Sequence, residues 1–141
     1  MKIAVVDGQG GGIGSAIIKK LRKAFGEGIE IYALGTNSIA TSRMMKAGAN
    51  RGATGEGAII HTSSKVDVIM GSISILVAHS MLGELTPKMA EAVSISTAKK
   101  LLIPLTQENV EVIGVSDQPL PHLIDEMIER IKIGEVKHKD V

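Results

Sequence analysis

The stretch Lys2-Ile3-Ala4-Val5-Val6-Asp7-Gly8-Gln9-Gly10-Gly11-Gly12-Ile13-Gly14 decides the fold. Residues 2–6 are short, rich in β-branched side chains and lack alternation. They predict a strand buried on both faces, as in a parallel sheet covered by helices. The glycine cluster ends that strand. From Ile13 the period changes, and Ile13, Ala16, Ile17, Leu21 and Ala24 fall at helical spacing as far as Phe25. A strand, a glycine turn and a helix in that order form the opening unit of an open α/β sheet. Such sheets take ligands beyond the carboxyl ends of their strands, at helix N-termini.

The rest of the chain repeats the alternation. Ile29 to Leu34 predicts a second strand. Thr36 to Ala47 predicts a helix, with Thr36, Asn37 or Ser38 as its N-cap and Gly48 just past its end. Residues 48–57 are punctuated by glycine and predict a loop, Ala58-Ile59-Ile60 a strand, and Val66 to Met70 another. Thr86-Pro87 is a cap followed by proline at the first helical position, opening a helix to about Ala98. Lys100 to Ile103 and Val110 to Val115 predict two further strands. Leu120, Leu123, Ile124, Met127, Ile128 and Ile131 trace a final amphipathic helix. Residues 71–85 fit a strand, a turn or a short helix. The expectation is a single-domain, doubly wound α/β sandwich over residues 1–133 with a mostly parallel sheet of five or six strands. A flexible tail, 134–141, follows it.

Composition narrows the function classes. The chain has 141 residues, 44% hydrophobic and 22% charged, which fits one globular domain. Sixteen basic against fifteen acidic side chains leave a net charge of +1, so no overall field recruits nucleic acid or an anionic membrane. Phe25 and Tyr32 are its two aromatic residues, too few for a base-stacking platform. With no cysteine there is no disulfide, thiol nucleophile or thiolate metal site. Neither a signal peptide nor a membrane span is read, and a cytoplasmic location is expected. The four histidines lack short ligand spacing, so no metal site is expected. His79-Ser80 is followed by Gly83-Glu84, but no Asp or Glu is obviously positioned to orient the histidine, which argues against a nucleophilic triad.

The candidate site is the turn Gly8, Gln9, Gly10, Gly11, Gly12, Ile13 and Gly14. A helix start offers free N–H groups and partial positive charge, and glycine lets a phosphate approach them. The alternative is a strand-to-helix turn whose glycines serve packing alone. The spacing is neither a strict G-x-G-x-x-G nor a P-loop. Asp7 next to it would repel a phosphate, so shaping the turn is its expected task. At the end of the second strand stand Gly35, Thr36 and Asn37, with no carboxylate for a ribose; the readings are NADP with Arg43 on its 2′-phosphate, a ligand without that ribose contact, or no nucleotide. Arg51, among flexible backbone donors, suits bidentate contact with phosphate or carboxylate. Gly71 and Ser72 end a further strand, and Thr106-Gln107 completes a set of small polar strand ends.

Gly8-x-x-x-Gly12-Ile13-Gly14 resembles the glycine turn of the short-chain dehydrogenases. Their Tyr-x-x-x-Lys pair is absent, because Tyr32 is followed four residues later by Thr36. The glycine turn together with Ala33-Leu34-Gly35-Thr36-Asn37 and residues 48–56 looks like a small bacterial family of uncharacterised Rossmann-like proteins. That resemblance implies no activity. Residues 66–107, through Asp67-Val68-Ile69-Met70-Gly71-Ser72-Ile73-Ser74 and Lys100-Leu101-Leu102-Ile103, are more faintly similar to the phospholactate transferase and gluconeogenesis-factor superfamily. That superfamily implies nucleotide binding, but Met70-Gly71-Ser72 stands where its Gly-Pro-Gly would be. The expected function is binding of a nucleotide, NAD(P) foremost, by a protein that forms a homodimer. Two rivals stay open. One is a small transferase for a phosphorylated metabolite with Arg51 and Ser72 near the transferred group; the other is a sensing or structural module that acts through a partner.

Overall fold

In the computed structural model, residues 1–105, 109–132 and 134 are described. β1 (Lys2–Asp7), α1 (Gly12–Phe25), β2 (Glu30–Gly35), α2 (Ser38–Lys46) and β3 (Arg51–Thr54) come first. α3 (Glu56–Ser63), β4 (Val68–Ser72), α4 (Pro87–Ile95), β5 (Lys99–Ile103) and α5 (Leu120–Lys132) follow. The five strands form one parallel sheet in the order β3-β2-β1-β4-β5. With helices on both faces, this is a Rossmann-like sandwich.

Strand pleating builds two cores from the same residues. On one face, Ile3 and Val5 of β1 pack with Ile31, Ala33, Val68 and Met70 against α1, α2 and α5. On the other, Ala4 and Val6 pack with Leu34 and Ile69 against Ile59 of α3 and Met89 and Val93 of α4. β1 is central and its five residues from Ile3 to Asp7 are all buried, which is why its sequence shows no alternation. Two basic residues of α1, Arg22 and Lys20, have structural partners. The Arg22 guanidinium donates to the carbonyls of Gly26, Ile29 and Gly48 and to Asn50 Oδ1, tying the end of α1 to both neighbouring loops. Lys20 pairs with Asp125 at 2.6 Å, joining α1 to α5.

Three expectations are corrected. Residues 51–54, read as loop, are the edge strand β3. All four are exposed, and the strand forms because its backbone pairs with β2 from Tyr32 to Gly35. Residues 58–60, read as a strand, lie in α3, where Ile59 is buried and Ile60 is 42% exposed. Residues 110–115 form no strand; they run exposed after β5, with Ile113 83% exposed, so the sheet has five strands among the described residues. Thr106-Gln107 and all of 134–141 except Gly134 lie outside the described residues. The open segment 71–85 completes β4, makes a 3₁₀ turn over Ile73–Leu76 and continues in turns to α4. Methionine divides as packing requires: Met44 is wholly buried and Met45 is 36% exposed.

Candidate functional site

The sheet order reverses between β1 and β4, so the connections leaving these strands diverge and open a crevice at their carboxyl ends. The glycine turn lies there. Gly8 O accepts from Gly11 N at 2.9 Å, closing a tight turn. Gly11 takes a left-handed conformation, φ 73°, with Ala40 Cα 2.9 Å from where its Cβ would be. Both the turn and the close approach of α2 therefore require glycine. Gly14 is held against Met44 Sδ and Asp7 Cβ, so it serves the packing of α1. Gly12 is different: the nearest atom to a Cβ there is Arg43 Nη1 at 3.7 Å, and the residue is exposed.

Asp7, at the end of β1, is the clamp of this turn. Its Oδ1 accepts from Gly8 N at 2.8 Å and its Oδ2 from Gly14 N at 2.7 Å. One carboxylate thus ties the strand end to the first turn of α1. Burial pushes its pKa up; the two amide bonds and Arg43 pull it down, and the charge of Glu84 adds to the rise. A second carboxylate arrives from far along the chain. Glu84 Oε1 accepts from Gln9 N at 2.8 Å, Thr36 Oγ1 at 2.6 Å and Asn37 Nδ2 at 2.8 Å. Burial alone would raise its pKa, but these three hydrogen bonds outweigh it and hold the carboxyl below its ordinary value. The segment that delivers Glu84 carries positive φ at His79, Met81, Leu82 and Gly83. Such backbone is strained for the three non-glycine residues and persists only where its surroundings impose it.

The amides of the turn are therefore divided. Gly8 and Gly14 bond Asp7, Gln9 bonds Glu84, and Gly11 bonds Gly8 O. The amides of Gly10, Gly12 and Ile13 have no protein acceptor among the described residues, as expected for Gly12 and Ile13 as a helix's first donors. Arg43 of α2 reaches the same opening and donates to Gly10 O at 3.2 Å. A guanidinium and open amides at the positive end of a helix are a receptor for an oxyanion.

Other candidates are distributed as follows. Gly35 is buried at the end of β2, and Thr36 and Asn37 follow it; Asn37 caps α2 through Oδ1 to Ala40 N. Gly71 and Ser72 are buried in β4. Arg51 opens β3 opposite Tyr32, so it stands at the other end of its strand from the glycine turn. Two strands separate it from Ser72, and the structure does not bring these two together. Ser80 is fully buried and donates to Ser74 O at 2.6 Å, a structural bond. Among the described residues, no group of three His, Asp or Glu is placed to hold a metal ion. No helix among them is long and apolar enough to cross a membrane. Glu84 is the functional residue that sequence reading passes over. Its one signal is an acid directly after Gly83 in a largely apolar segment.

Two measurements follow from this geometry. Gly14→Ala should lower unfolding free energy by about 1–3 kcal/mol through overpacking, whereas Gly12→Ala should leave it unchanged or raise it by up to about 1 kcal/mol. Denaturant melts giving equal losses for both would contradict the division. Glu84→Gln tests the second carboxylate. A depressed folded pKa stabilises above the unfolded pKa and is lost as pH falls through the folded value. The stability gap between wild type and Glu84→Gln should be widest near neutral pH and close in acid, below the usual carboxylate range; a gap that does not vary with pH would contradict it.

No curated protein matches the chain. Among solved structures, the dodecameric FMN-dependent UbiX-like decarboxylase from Escherichia coli O157:H7 is similar at 13% identity and a TM-score of 0.47, over 98% of this chain and 97% of that one. Residues 2–135 match the family described as a domain of unknown function, DUF3842. With nearly the whole sequence inside that match, the chain belongs to the DUF3842 family.

Proposed function

We propose that this protein binds a dinucleotide, NAD in preference to NADP, with a phosphate on the open amides of Gly12 and Ile13. The observation that carries this reading is the convergence of those unpaired amides with the Arg43 guanidinium at the start of α1. The glycines at 10 and 12 leave the approach clear of side chains. Glu84 supports the choice between the cofactors. Dinucleotide folds commonly present an acid to the adenosine ribose at the end of the second strand. Here the sequence of β2 supplies none, yet the Glu84 carboxylate is hydrogen-bonded to Thr36 and Asn37 at that strand end. All three of its bonds use Oε1, and Oε2 has no protein donor among the described residues. Oε2 is thus available to accept from a ribose hydroxyl. A 2′-phosphate at the same position would meet a carboxylate held in its charged form, which disfavours NADP.

Asp7 contributes by orientation. It occupies the amides of Gly8 and Gly14, which leaves those of Gly10, Gly12 and Ile13 as the open donors of the turn. Arg43 offsets the repulsion that the two carboxylates would exert on an incoming phosphate.

Isothermal titration tests this. NAD⁺ should bind at least about tenfold more tightly than NADP⁺, because the wrong cofactor meets an uncompensated like charge. Arg43→Ala should weaken NAD⁺ binding by about tenfold or more, as expected for a charge-assisted phosphate contact, with the melting temperature of the free protein unchanged. Unaltered affinity in Arg43→Ala, or tighter binding of NADP⁺, would defeat the reading.

A further inference from the structure

A second cleft lies away from the glycine turn, between the β3 edge of the sheet and the end of α3. Its volume is about 350 Å³, within the lower range of small-ligand sites. Tyr32, Leu34 and Val66 contribute to an apolar floor, and Lys2, Arg51, His61 and Lys65 stand around it. None of its lining residues is acidic. In a chain of net charge +1, this is a local concentration of positive charge. None of the four basic side chains has a hydrogen bond or an ion pair among the described residues. They differ in this from Lys20, Arg22 and Arg43, whose groups are committed to Asp125, to loop carbonyls and to Gly10.

The fold brings them together from three separate places. Lys2 opens β1, Arg51 opens β3 beside Tyr32, and His61 and Lys65 flank the end of α3. The Tyr32 hydroxyl donates to Glu30 Oε1 at 2.7 Å, and the Arg51 charge also acts on Tyr32. Glu30 also stands opposite Lys2 in the β1–β2 pairing. Basic groups gathered around one exposed cleft favour an anion that meets several of them at once.

We propose that this cleft is a second binding site, for a small soluble molecule carrying two or more negative charges, of the phosphate-ester class. Arg51 supplies planar bidentate contact and the lysines supply point charges. The apolar floor takes an uncharged portion of the ligand. The inference does not rest on the dinucleotide reading, because it shares no residue with the glycine turn.

Inorganic pyrophosphate is the probe, titrated against the full chain by calorimetry. In the Arg43→Ala background, where the glycine turn no longer competes for the anion, Arg51→Gln with Lys65→Gln should weaken pyrophosphate binding by about tenfold or more. Both substituted residues are exposed, so the double variant should melt like wild type. No measurable pyrophosphate binding would overturn the proposal. So would loss in Arg43→Ala with retention in the double variant, because the anion would then occupy the glycine turn. Phosphatidylglycerol vesicles form the control arm, and co-sedimentation with them in the absence of pyrophosphate binding would assign the basic residues to a membrane surface instead.

Discussion

One carboxylate holds the working end of this molecule together. Asp7 ends the central strand and accepts both the amide that follows it and the amide of Gly14, one turn into α1. The strand end and the helix start thus share one rigid acceptor. Each charge-assisted bond contributes about 1.5–3 kcal/mol, but burial more than offsets them, since the Asp7 pKa lies above its ordinary value. Ionised Asp7 is thus held at an electrostatic cost that the surrounding fold offsets. Its benefit is geometric: with Gly8 and Gly14 occupied, the amides of Gly10, Gly12 and Ile13 are left as the open donors of the turn.

Around that clamp, charge is balanced over long sequence distances. Glu84 lies 75 residues from Gln9, whose amide it accepts, and it also holds the two polar side chains at the end of β2. Three successive elements, the β1 turn, the β2 end and the segment before α4, are thereby joined at one oxygen. Met81 lies over Gly8 from the same segment. Backbone strain at residues 79, 81 and 82 accompanies this arrangement. Arg43 supplies the opposing charge from α2, whose own start is fixed by the Asn37 cap.

How much of this was legible in the sequence depends on how local each signal is. The β1–turn–α1 unit was readable because burial, turn chemistry and helical period are all set within 25 residues. α1, α2, α4 and α5 were readable from apolar spacing and caps. β3 was not, because Arg51-Gly52-Ala53-Thr54 buries nothing and owes its conformation to pairing with β2. α3 was misread because Ala58-Ile59-Ile60 is a short apolar run, for which strand and helix look alike. Residues 110–115 carry a strand's composition but pair with no strand among the described residues. Within the site, Asp7 and the glycines were visible as a motif. The convergence of Glu84 and Arg43 on them was not, because it is created by the crossover connections.

The most direct test of the account is a ¹H–¹⁵N correlation titration of the labelled protein with NAD⁺. The account predicts that the largest amide shifts fall on Gly10, Gly12 and Ile13, with Gly8 and Gly14 moving less because Asp7 already holds them. Saturable shifts that leave Gly10, Gly12 and Ile13 unmoved, or no shifts at all, would contradict it.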